Sequence, residues 1–95
     1  MIRVEIIANQ SVEDDIKENL TSYIPDLEYT VIPAVQGKGK KSSKLGDATW
    51  PEMNFILFSY VDEEKAHKIK AIIDAVIKKF PREGISLFAT QAIEL

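Results

Sequence analysis

The stretch Met53-Asn54-Phe55-Ile56-Leu57-Phe58-Ser59-Tyr60-Val61 decides how this chain is read. It is rich in aromatic and aliphatic residues and contains neither Gly nor Pro, so it reads as a strand. Met53, Phe55, Leu57 and Val61 share one face, while Asn54, Ile56, Phe58 and Tyr60 share the other. A strand with water on one side alternates apolar with polar residues. This one is apolar on both sides, so both surfaces of its sheet need cover.

Working upstream, residues 2–8 alternate, with Ile2, Val4, Ile6 and Ala8 on one face. Asn9-Gln10-Ser11 interrupts that strand, and Ser11 is the expected N-cap of a helix whose first turn holds Glu13, Asp14 and Asp15. Val12, Ile16, Leu20 and Tyr23 form its apolar stripe, and Pro25 ends it. Residues 29–35 read as a second strand. Pro33 cannot donate a ladder hydrogen bond, which places that strand at a sheet edge. Downstream of the opening stretch, Asp62 caps a second helix with Ala66, Ile69, Ile73, Val76, Ile77 and Phe80 along one stripe. Glu64 with Lys68 and Asp74 with Lys78 are the expected i,i+4 pairs. Pro81 and Gly84 end this helix, and residues 85–93 form a last strand.

The element order is βαββαβ, an α+β domain of the ferredoxin-like split βαβ type spanning residues 1–95. Right-handed crossovers put its four antiparallel strands in the order 4-1-3-2, with both helices on one face. Ile7, Ile32, Ala34 and Phe88 are expected to add apolar groups to the alternate faces of neighbouring strands. Two helices cover only one side of such a sheet. Each large apolar side chain left in water forgoes roughly 1.5–3 kcal/mol. Self-association is therefore expected, the alternative being that the long connection after strand two folds back over the open side.

The chain has 95 residues, with 12 Lys and Arg against 15 Asp and Glu, a net charge of −3. That balance argues against a general nucleic-acid binder, which shows a basic face. With no cysteine, disulfides, thiolate metal sites and thiol nucleophiles are excluded. The first residues lack the order of a secretory signal, and no apolar run nears the roughly 20 residues that cross a bilayer. A cytoplasmic protein is expected. The positive charge is uneven: Lys38, Lys40, Lys41 and Lys44 face only Asp47 between positions 37 and 47, a local +3 that leaves −6 on the remainder.

That basic segment opens with Val35-Gln36-Gly37-Lys38-Gly39-Lys40-Lys41. Two glycines flanking one residue let backbone N–H groups approach a ligand closely, and lysines offer point charges to phosphate oxygens. A flexible basic loop is the competing reading of the same residues. Neither the P-loop pattern nor the dinucleotide fingerprint is present. No pair of carboxylates is arranged for acid/base chemistry, and Glu5, mid-strand beside Arg3, reads as an interface pair. The chain is expected not to be an enzyme.

A βαββαβ chain with a long loop after strand two, opened by Val35, Gly37, Gly39, Lys40 and Lys41, resembles the PII signal-transduction proteins. The resemblance implies a homotrimer whose intersubunit clefts take an adenine nucleotide or another small anion as effector. It also implies that the loop, the T-loop, here about residues 37–52, reaches a membrane transporter or an enzyme. Carried over, Gly37, Lys38 and Gly39 stand at the cleft mouth, and Lys40 and Lys41 face anionic groups. Ser42, Ser43, Lys44, Leu45, Gly46, Asp47 and Trp50 form the partner-facing tip and return limb. The family wraps phosphates with a Gly- and Lys-rich connection before strand four. Here that connection is Pro81-Arg82-Glu83-Gly84, with Arg82 its sole cation. The implied ligand therefore differs from ATP, or nucleotide binds weakly.

Other proteins share this element order. An acylphosphatase would need an arginine in a phosphate loop after strand one, and the loop here lacks it. An RNA-recognition motif would use aromatics on strand one, which has none. A CutA-like divalent-metal-tolerance trimer is the nearest rival, although His67 is the only histidine and reads as a solvated helix residue.

Overall fold

The computed structural model describes residues 1–38 and 52–95. Its elements run β1 (Ile2–Asn9), a 3-10 turn (Gln10–Val12), α1 (Glu13–Tyr23), β2 (Thr30–Gly37), β3 (Glu52–Val61), α2 (Glu63–Lys79) and β4 (Ile85–Gln91). The strands form one sheet in the order β2-β3-β1-β4, and all three pairings are antiparallel. This is the expected ferredoxin-like arrangement, with the central stretch of the sequence as an inner strand.

The core lies between the sheet and the two helices. Val4, Ile6, Ala8, Phe55, Leu57 and Val61 point from the sheet into Val12, Ile16, Leu20, Ile24, Ile69, Ile73 and Val76. Ser59 is the one buried polar residue of that face among the described residues, and its hydroxyl donates to the Glu28 carbonyl oxygen at 2.5 Å. That bond satisfies a group whose burial alone would be costly. It also ties the connection between α1 and β2 down onto β3.

Several local expectations are corrected. Ser11 does not cap α1; its N–H donates to Asn9 Oδ1 at 2.9 Å, and the chain enters the helix through a 3-10 turn. Tyr23 stands out of the core at 67% exposure, and Ile24, just past the helix, is buried in its place. On α2, Asp62 does cap as expected, accepting from the Lys65 N–H at 2.7 Å. Its wet side pairs differently: Asp74 takes Lys70, at 2.7 Å, in place of Lys78. β4 ends at Gln91, short of residue 93.

Strand β2 is an edge strand, as Pro33 required, and it also carries a bulge. Ile32 pairs with Ile56 but Val35 pairs with Asn54, so Pro33 and Ala34 together oppose Phe55. Ala34 sits at φ 55°, in the left-handed region. The extra residue reverses which side chains face which surface beyond it. Val35, and not Ala34, therefore joins Ile32 on the open side of the sheet. β2 also runs two residues further than expected, so Gly37 is a strand residue paired with Glu52.

Candidate functional site

The surface of the sheet away from the helices is ordered in rows by the strand register. Tyr60, Arg3 and Thr90 form one row; Thr30, Phe58, Glu5 and Phe88 the next; Ile32, Ile56, Ile7 and Ser86 the third; and Val35 with Asn54 and Asn9 the fourth. Ile32 is 44% exposed, Tyr60 51% and Phe88 54%. The described chain thus leaves a band of large apolar groups in contact with water. Contiguous apolar surface of this kind is where proteins commonly bind a partner or a ligand.

At the end of that surface nearest Gly37 lies a depression of about 420 Å³. Its floor is the cross-strand pair Ile7 and Ile56, with Val35 beside them. Asn54 on β3 brings a side-chain amide and Ser86 on β4 a hydroxyl, while Gln36, opposite Met53, lines the depression from β2. Gly37 and Lys38 close it at β2, and Gly84 at β4. The Asn9 N–H donates to the Gly84 carbonyl at 3.0 Å, which fixes that wall to the end of β1. An apolar floor ringed by a few polar groups and one cation is the usual composition of a small-molecule site.

Gly37 has a steric role here that differs from the one expected. A Cβ built at this position would fall on the Asn54 side-chain amide. The missing side chain lets that amide lie across the end of β2, inside the depression.

Of the residues singled out from the sequence, Gly37 and Lys38 line the depression. Arg82 does not; it lies in the exposed turn after α2, two residues before Gly84. Gly39, Lys40, Lys41, Ser42, Ser43, Lys44, Leu45, Gly46, Asp47 and Trp50 lie outside the described residues. Ile7, Ile56, Asn54, Val35, Ser86 and Gly84 were not anticipated as site residues. Register brings them together; in the sequence Val35 stands out only as the first residue of the glycine- and lysine-rich motif, and the bulge at Pro33 and Ala34 turns it to the open side of the sheet.

A second polar feature lies toward the opposite end of the same surface, on the inner strand β1. Arg3 donates to the Tyr60 hydroxyl at 2.8 Å and to Glu5 Oε1 at 3.0 Å. Its guanidinium carbon stands 4.3 Å from the centre of the Phe58 ring and 5.6 Å from that of Tyr60, and the two rings meet edge to face. Hydrogen bonds to Glu5 and Tyr60 hold the guanidinium pKa above its ordinary value. Elsewhere, His67 on the exposed side of α2 faces Glu63 at 3.9 Å. Among the described residues no three His, Cys, Asp or Glu side chains are grouped to hold a metal ion. No helix among them is long and apolar enough to cross a membrane.

No family model matches the chain, and no curated protein matches it. The solved structures show its fold: the chain has the fold of the PII-like signalling proteins. A candidate PII-like signalling protein from Thermus thermophilus superposes with a TM-score of 0.65 at 22% identity, over 94% of this chain and 83% of the other. CPII, a nitrogen regulatory PII-like protein from Thiomonas intermedia solved with ADP, AMP and bicarbonate, gives 0.63 at 14% identity, over 99% and 93%.

Proposed function

We propose that this chain is a PII-like regulatory protein that works by binding and signalling and not by catalysis. In this reading it assembles in the cytoplasm as a homotrimer through the open surface of its sheet. The depression at the Gly37 end becomes a cleft between subunits and takes a small anionic or nucleotide effector. The basic segment that leaves β2 then carries the bound state to a partner, a membrane transporter or an enzyme.

One observation carries the reading. The depression sits on the uncovered apolar surface, at the root of the basic segment, so cover by a second subunit and closure over a ligand are one event. The PII-like fold supports it, and the ADP, AMP and bicarbonate bound by CPII name the ligands to try first.

Light scattering is expected to give a mass three times that of the chain. A thermal-shift panel then separates this reading from a metal-tolerance trimer, with adenine nucleotides, cyclic nucleotides and bicarbonate in one arm and divalent metals in the other. At least one anion is expected to raise Tm, and Asn54→Ala and Lys40→Ala/Lys41→Ala variants are expected to lose that rise. If only metals shift Tm and the variants behave as wild type, the effector reading fails.

A further inference from the structure

The Arg3–Glu5 pair is an anomaly on the surface that carries it. In the rows between Val35–Asn54 and Tyr60–Arg3–Thr90, these are the two charged side chains, and they are surrounded by Phe58, Phe88, Ile7 and Ile56. Both are about one-third exposed. A guanidinium offers five N–H groups. Tyr60 and Glu5 take one each, and Phe58 covers one side of its plane. Among the described residues, N–H groups of Arg3 and an oxygen of Glu5 thus remain for a further partner.

The two unfilled groups restrict what can cover them. A charge sealed in an interface without an opposite charge is strongly unfavourable. Arg3 and Glu5 neutralise each other within the chain, so a partner bringing only acidic groups would leave a surplus negative charge in the contact, and a basic one a surplus positive charge. A second copy of this surface brings a cation and an anion at the same spacing, together with matching apolar rows.

We propose that Arg3 and Glu5 form the recognition contact between copies, Arg3 of one chain pairing with Glu5 of the next, while Tyr60 and Phe58 hold the guanidinium in position. This rests on the self-association argued above and identifies the residues that make it selective for self.

Charge exchange tests it. Arg3→Glu and Glu5→Arg each place two like charges on the surface, and each is expected to weaken self-association at least about tenfold, with the circular dichroism of a folded chain. The double variant Arg3→Glu/Glu5→Arg restores opposite charges and is expected to assemble like wild type. Mixed with wild type, however, the double variant is expected to sort into separate assemblies, read by native mass spectrometry, because every mixed contact would oppose like charges. Statistical mixing of the two, or single variants that keep the wild-type mass, would overturn the proposal while leaving self-association intact. A wild-type chain that stays single at high concentration would instead overturn self-association itself.

Discussion

Ala34 carries a cost that its neighbours impose. The left-handed region disfavours a residue with a Cβ by roughly 1–2 kcal/mol, and Ala34 is held there at φ 55° by the bulge it shares with Pro33. A glycine would relieve that strain while adding roughly 0.5–1 kcal/mol of unfolded-chain entropy. Ala34→Gly is therefore expected to stabilise the protein by about 0.5–1 kcal/mol. Urea unfolding at matched protein concentration measures it, and an unchanged or lower midpoint would contradict it. The side chain is exposed, so no lost packing competes with the effect. The same residue shows where sequence reading stops at this scale. Pro33 announced an edge, because a missing donor is a property of one residue. The bulge depends on which partner each residue meets across β3, and that is not written in any one residue.

The elements are held by a few links between their ends, and one of them titrates. Asp26, in the connection between α1 and β2, accepts from Lys65 Nζ in the first turn of α2 at 3.3 Å. The Lys65 hydrogen bond, then one from the backbone, holds the Asp26 carboxyl below its ordinary value of 3.8. A lowered carboxyl pKa stabilises the fold above the unfolded value and ceases to do so as pH falls through the folded value. Asp26→Asn is therefore expected to be less stable than wild type near neutral pH. That difference should fade to nothing as the pH drops below 3.8. A gap that persists into strong acid would mean that the side chain acts through packing and not charge. Element identity was legible throughout, because apolar residues at period two or near four are local facts. Helix entry was less so: Asn9 and Ser11 both suit a cap, and the 3-10 turn that selects Asn9 follows from where β1 stops.

At the scale of the molecule, the two-faced character of residues 53–61 was legible, and the proposed assembly rests on it. Ile32 and Phe88 are exposed in the single chain and lie on opposite edge strands, β2 and β4. Ile32→Glu/Phe88→Glu is expected to leave the subunit fold intact, since surface changes of this kind stay within about 0.5 kcal/mol, yet to abolish self-association. A sedimentation profile matching wild type would show that this surface is not the interface. The candidate cleft was half legible. Gly37 and Lys38 announced themselves by composition, whereas Ile7, Ile56, Asn54 and Ser86 come from three strands and meet only once register is known.

The pairing of Gly37 with Glu52 has a consequence for how this chain can vary. Directly opposed residues on neighbouring strands have Cα atoms about 5 Å apart, so everything between them departs from and returns to nearly one point on the sheet. Lengthening a tethered loop twofold adds only about 0.6 kcal/mol of closure cost. The β2–β3 junction is thus a natural port at which foreign sequence, such as a fluorescent reporter or another recognition peptide, could be spliced with little disturbance to the strands beneath.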